Sequence, residues 1–226
     1  MHAYEVEIKV LLGTPEAKDA FMKRVSESFP GLSHSYSESQ KNHYFEWGNL
    51  AHLFGTFRQY ISDKDAASLH ALSKEAKSFS VRTRGTPTQT IIVVKATVND
   101  ETSSNGTARI EWEVDLAPMT LEEMDAKVLQ AGFSYQAKWS REREGYNLSE
   151  NTVLCLDKNA GYGYLAEFER VIHDPAMVEE TRAELLAIIE SLGYAELDQA
   201  RLARMFDFYN KNWNDYYGTE KVFTLE

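Results

Sequence analysis

The stretch Glu5-Val6-Glu7-Ile8-Lys9 places a charged group on every second residue. In an extended chain successive side chains point to opposite faces. Glu5, Glu7 and Lys9 therefore share one face, and Val6, Ile8 and Val10 take the other. The two glutamates lie about 7 Å apart along such a strand, and their long side chains can converge on one cation. The pattern recurs. Arg82 and Arg84 share a face, and Lys95 interrupts the apolar run 91–98. Arg109, Glu111 and Glu113 alternate with Ile110, Trp112 and Val114. Arg141 and Arg143 share a face; Lys138 has the opposite parity, so a bulge re-aims it or the strand starts after it. Asp157 precedes a glycine-rich turn, and Glu167 and Glu169 share a face of the strand that follows.

For any one strand a solvated face is the ordinary reading, because antiparallel sheets commonly show one face to water. Six strands with the same division, and large apolar opposite faces, argue otherwise. If helices cover the apolar faces, the charged ones turn inward. Charge held inside is costly unless it is paired or bound to ions. An interior carrying both signs suits a polyanion accompanied by metal. Lysine and arginine would take phosphate oxygens. Carboxylates would hold Mg²⁺ or Mn²⁺, which prefer oxygen ligands and bridge to substrate phosphates.

The elements that must position these residues are short. Strand patterns cover residues 3–12, 41–47, 79–84, 90–98, 108–116, 137–146, 152–157 and 163–172, which suggests an antiparallel sheet or barrel. Asn105-Gly106 reads as a hairpin connection between two of them. Thr14-Pro15 opens a helix reaching about Ser28. Thr120 to Glu123 is a capping box for a helix that Gly132 closes. Asp174-Pro175 starts another, ended by Gly193, and residues 63–77 are predicted helical. In the tail, Leu202, Met205, Phe206, Tyr209 and Trp213 form a stripe expected to pack on the body.

The chain has 226 residues, 43% of them apolar, enough for a real core. Its formal net charge of −11 disfavours general nucleic-acid binding. A lone cysteine, Cys155, permits no internal disulfide, as expected in a reducing compartment. With no signal-type leader and no run long enough to span a bilayer, a cytoplasmic protein without membrane association is expected.

Seven elements in order resemble those of the CYTH domain, the triphosphate tunnel metalloenzymes. Glu5-x-Glu7-x-Lys9 is similar to its N-terminal ExExK signature, Tyr44-Phe45 to its YF strand, and Arg82-Thr83-Arg84 to its R-x-R strand. Lys95 resembles its basic strand residue and Arg109 to Glu113 its R-x-E-x-E strand. Lys138 to Arg143 resembles its K-x-x-R element. Asp157, Gly161, Gly163, Glu167 and Glu169 resemble its closing pattern. The resemblance covers about residues 3–172.

It implies an α+β fold: an eight-stranded antiparallel β-barrel with flanking helices. The tunnel domain would be residues 1–193. A helical C-terminal extension, 194–226, would pack on or plug the barrel, with Arg201, Arg204 or Lys211 reaching in, or form a homodimer surface. The resemblance also implies metal-dependent work on triphosphates. Glu5, Glu7 and Glu169 would be the main metal ligands, with Glu113 and Glu167 nearby; Glu5, Glu7, Lys9 and Glu169 form the catalytic group. Lys9, Arg82, Arg84, Lys95, Arg109, Lys138, Arg141 and Arg143 would hold phosphates. Glu111 and Asp157 would line the tunnel. Asn42 stands where the family usually has Asp, His43 reads as structural, and the segment Trp47–Lys77 is long enough to add a helix.

The favoured activity is divalent-metal-dependent hydrolysis of inorganic, thiamine or nucleoside triphosphate, a small-molecule substrate. The alternative is a class IV adenylyl cyclase making cyclic AMP and pyrophosphate from ATP. The third reading, a polyphosphate- or nucleotide-binding module without catalysis, leaves the carboxylates unexplained.

Overall fold

A computed structural model describes residues 4–98 and 108–225. Eight strands form the framework: β1 (Tyr4–Gly13), β2 (Ser33–Glu46), β3 (Ser78–Gly85), β4 (Thr90–Thr97), β5 (Ala108–Asp115), β6 (Ser134–Asn147), β7 (Val153–Asn159) and β8 (Gly163–Ile172). They join in the closed antiparallel order β1-β5-β4-β3-β2-β6-β7-β8. Six α-helices accompany them: α1 (Pro15–Ser28), α2 (Leu50–Phe57), α3 (Asp63–Glu75), α4 (Leu121–Gln130), α5 (Val178–Ser191) and α6 (Gln199–Asn212). None is long and apolar enough to cross a membrane. The Asn105-Gly106 connection lies outside the described residues.

The chain divides into two compact units, one of residues 1–39 with 140–226, the other of residues 40–139. In the first, β1 alternates between buried and half-buried along its whole length. Val6, Ile8 and Val10 are buried on the face that α1 and α5 cover with Phe21, Val25, Leu185 and Ile189. Phe21 meets Phe168 edge-on at 6.2 Å and Tyr194 at 5.1 Å. Each such side chain contributes on the order of 1.5–3 kcal/mol by leaving water. Thr14 caps α1 by accepting from the Ala17 amide at 3.3 Å, with Pro15 in the first turn.

In the second unit α4 covers the apolar faces of β3 and β4, α3 packs on β5, and α2 packs on α3 and α4. Leu53, Phe57, Leu69, Leu72, Met124 and Val128 of the helices, and Val81, Ile92, Val94 and Ile110 of the strands, are all buried. The expected capping box is formed: Thr120 accepts from the Glu123 amide and Glu123 from the Thr120 amide. Two helices, not one, occupy the stretch after Trp47; Asn49 caps the first, accepting from Ala51 at 2.7 Å.

β2 begins at Ser33 rather than near residue 41. Its first half, Ser33-His34-Ser35-Tyr36-Ser37-Glu38, is largely exposed, so no apolar alternation marks it. In the tail, Met205 and Tyr209 of α6 are buried. Tyr209 lies over the β7–β8 turn, where Gly161 has φ +85° and an added Cβ would stand 2.7 Å from its ring. The Gly161 amide donates to Lys221 at 2.8 Å, and the Phe223 amide donates to Gly161 at 2.8 Å. Arg201 donates to the Leu225 carbonyl at 2.8 Å, and Lys211 pairs with Asp207 at 2.6 Å.

Candidate metal and phosphate site

With helices on the apolar side, the charged residues project from the other face of the strands. In the first unit, cross-strand register decides who meets whom. Glu7 stands opposite Glu169, and Lys9 opposite Glu167. Arg143 stands opposite Asp157. Lys9 lies 2.9 Å from Glu7 and 3.3 Å from Glu167. Arg143 grips Asp157 with two bonds, at 2.6 and 2.8 Å. It also donates to Glu167, and to Glu169 at 3.3 Å. Arg141 adds a bond to Asp157 at 2.7 Å. Asp157 is fully buried, and Arg143 and Glu167 nearly so.

Glu5, Glu7 and Glu169 each offer a carboxylate oxygen, all three within 4.8 Å of one another. An octahedral cation with oxygens at roughly 2.0–2.1 Å holds opposite ligands roughly 4 Å apart, so small side-chain rotations close the set. The donors are all hard oxygens, which fit Mg²⁺ or Mn²⁺ better than a thiolate-seeking metal. Five carboxylates (Glu5, Glu7, Asp157, Glu167, Glu169) stand with three cations (Lys9, Arg141, Arg143) here, a surplus that a divalent ion would offset. Burial would raise Glu167, but Lys9, Arg143 and Arg141 overcome it and hold its carboxyl well below the usual range. Glu169 moves the other way. Burial, partly countered by Arg143 and reinforced by Glu167, Glu5 and Glu7, pushes it up to about 8. At neutral pH it keeps a proton that a cation would displace.

In the second unit, Arg82, Arg84 and Lys95 meet two carboxylates, Glu111 and Glu113, among the described residues. Lys95 pairs with Glu111 at 3.2 Å, and Arg82 meets Glu111 at 3.4 Å. Arg84 lies 3.6 Å from Glu113. Arg82 also donates to the Tyr44 hydroxyl and Arg84 to the Asn42 side-chain oxygen, both at 3.1 Å. Asn42 has a neutral side chain and accepts this bond without neutralising Arg84. Lys138 lies within β6, its ammonium 4.3 Å from the Tyr135 ring centroid. Arg109 belongs to β5 by its backbone; its side chain lies outside the described residues.

The structure thus gathers Glu5, Glu7 and Glu169 into one group. Glu167 is instead bonded by Lys9 and Arg143, and Glu113 faces Arg84. His43 sits on the opposite, helix-covered face, bonded to Asp125 at 2.6 Å.

Sequence reasoning missed Tyr36. Its hydroxyl lies 3.5 Å from the Cys155 sulfur, and Cys155 stands opposite Glu167. Burial pushes the Cys155 thiol up to about 12, so it stays protonated. The signal available was Gly145, since a glycine inside a strand often marks a close approach. An added Cβ there would stand 2.2 Å from the Tyr36 ring. Gly145→Ala is expected to displace Tyr36 and cost about 1–3 kcal/mol in denaturant unfolding, because overpacking outweighs the better strand propensity of alanine. In a Tyr36→Ala background the same change should be neutral or stabilising. Equal costs in both backgrounds would exclude the packing explanation.

Comparison with known proteins agrees with this fold. The model of the CYTH domain matches residues 3–203. A protein from Pyrococcus horikoshii OT3 superposes with TM-score 0.58 at 18% identity, over 86% of this chain and 93% of its own. A Vibrio parahaemolyticus protein described as a candidate adenylate cyclase gives 0.59 at 14% identity, over 88% and 95%. A Hippeastrum protein named as a candidate adenylyl cyclase, and described as having a dominant triphosphatase activity, gives 0.53 at 18% identity, over 90% and 96%. These likenesses concern the fold. No curated protein matches the chain significantly in sequence.

Proposed function

The chain belongs to the CYTH family, and on that premise we propose that it is a divalent-cation-dependent hydrolase of a triphosphate compound. The observation that carries this reading is the Glu5–Glu7–Glu169 group with Lys9 and Arg143 beside it. Pure anion binding has no use for three converging carboxylates. Mg²⁺ or Mn²⁺ held there would neutralise phosphate oxygens and help align water.

Arg82, Arg84 and Lys95 are the proposed phosphate donors of the second unit, and Lys9, Arg141 and Arg143 those of the first. Water oriented by a carboxylate attacks the terminal phosphorus. Its bond to the bridging oxygen breaks, orthophosphate forms, and the diphosphate remainder leaves. Positioning and charge neutralisation supply most of the rate in such transfers.

Product analysis with Mg²⁺ or Mn²⁺ tests this, comparing tripolyphosphate, thiamine triphosphate and ATP. Orthophosphate release supports hydrolysis. Cyclic AMP with pyrophosphate would replace it by the cyclase reading, and no product with retained binding would replace it by a binding module. Lys95→Ala should raise KM for the preferred triphosphate and lower kcat, by about tenfold in kcat/KM. Steady-state kinetics in which neither constant moves would remove Lys95 from phosphate binding.

A further inference from the structure

Helix α4 carries a carboxylate in the middle of its buried stripe. Leu121, Met124 and Val128 are apolar and buried, yet Asp125 between them is only 3% exposed. It accepts three hydrogen bonds, each of 2.6 Å: from the His43 Nδ1 nitrogen of β2, the Thr83 hydroxyl of β3 and the Tyr135 hydroxyl of β6. Burial opposes its charge, but these three donors outweigh that and hold its carboxyl below the ordinary range. A charged carboxylate accepts and does not donate, so Nδ1 carries the proton. An apolar residue would dock the helix at lower desolvation cost, so packing alone does not account for Asp125.

The three donors show what the carboxylate reads. His43 and Thr83 are directly opposite one another in the β2–β3 pair. Their chain neighbours form the next pairs in register, Asn42 with Arg84 and Tyr44 with Arg82. On the far side of the sheet those same pairs are hydrogen-bonded, Arg84 to Asn42 and Arg82 to Tyr44. A slip of one residue would turn both arginines to the helix-covered face. Asp125 therefore holds, from one side of two strands, the alignment that presents two guanidinium groups on the other.

We propose that Asp125 is a positioning residue for Arg82 and Arg84, acting through His43 and Thr83 to orient the two arginines for phosphate. The proposal rests on the triphosphate reading above. Tyr135 adds a third anchor, from β6. None of the three donors to Asp125 belongs to the Glu5–Glu7–Glu169 group.

The test is calorimetric binding of tripolyphosphate in the presence of Mg²⁺, with separate Mg²⁺ titrations and thermal unfolding. Asp125→Leu should fold cooperatively and keep the Mg²⁺ affinity of the unaltered protein. Its tripolyphosphate affinity should fall about tenfold or more, the scale on which supporting partners of a site act. Thr83→Val should weaken tripolyphosphate binding by a smaller factor, and Thr83→Ser, which keeps the hydroxyl, should restore it. A folded Asp125→Leu variant with unaltered tripolyphosphate affinity overturns the proposal. So does a parallel loss of Mg²⁺ and phosphate affinity that tracks stability, which marks a merely structural role. If Asp125→Leu does not fold, the Thr83 pair decides: equal binding by Val and Ser variants overturns the proposal. An unaltered protein that binds no tripolyphosphate overturns the functional reading itself, a result distinct from the others.

Discussion

Replacing Glu5 and Glu7 together by glutamine is expected to abolish cation-dependent turnover while leaving the fold intact. The substitution keeps side-chain volume and removes two of the three carboxylates that converge within 4.8 Å. Amide oxygens are neutral, weaker ligands for a hard divalent ion. Losing a preorganised electrostatic element of an active site costs roughly a hundred- to a thousandfold, and two ligands lost together should exceed that. Stability should hold because both glutamates repel Glu169, and their charge is among the causes that push its carboxyl up to about 8. The bond from Lys9 to Glu7 becomes weaker, but Lys9 keeps Glu167 at 3.3 Å. Phosphate release with and without Mg²⁺, beside circular dichroism, is the measurement. Undiminished turnover would mean that the carboxylate group does not hold the working cation.

Arg143→Leu should have the largest effect on stability. This guanidinium bonds Asp157, Glu167 and Glu169 from a position only 7% exposed. Removing it strands carboxylates that water cannot reach, and breaking a buried pair this way costs about 3–5 kcal/mol. For a chain of this size that lowers the melting temperature by roughly 6–20 °C. The sign with pH follows from Glu167. Its folded-state pKa is depressed, against burial, by Lys9, Arg143 and Arg141. Its stabilising share is therefore present above the ordinary carboxylate value and is lost as pH falls through the lower folded value. Without Arg143 that share shrinks, so the gap between variant and unaltered protein should hold from neutrality down to the ordinary carboxylate value and narrow only below it, toward the lower folded value. A gap independent of pH would assign the loss to packing. Arg143→Lys should recover only part, since an ammonium cannot reproduce the two-bond grip on Asp157.

How legible the site was depends on the range over which each feature is set. The alternation of Glu5, Glu7 and Lys9 with Val6 and Ile8 is a two-residue property of extended backbone, and the chain displays it directly. Arg82 with Arg84, and Glu167 with Glu169, were readable for the same reason. So were the caps at Thr14 and Thr120, where a side chain meets an amide three residues away. Tyr36 was not readable. The first half of β2 is largely exposed and lacks apolar alternation, and β6–β7 register sets Gly145 opposite Cys155, the one against the Tyr36 ring and the other at its hydroxyl.

The sequence by itself determined that this chain carries strands with one charged and one apolar face, flanked by capped helices, and that both carboxylates and basic groups share the charged face. Only the tertiary structure decided how those charges are divided. Glu167 stands opposite Lys9, while Glu169 stands opposite Glu7 and joins Glu5. Two glutamates of one type, two residues apart, thereby acquire opposite shifts. Side-chain parity is set by the backbone of neighbouring residues, whereas the charge each carboxylate feels is set by strand register between segments more than a hundred residues apart.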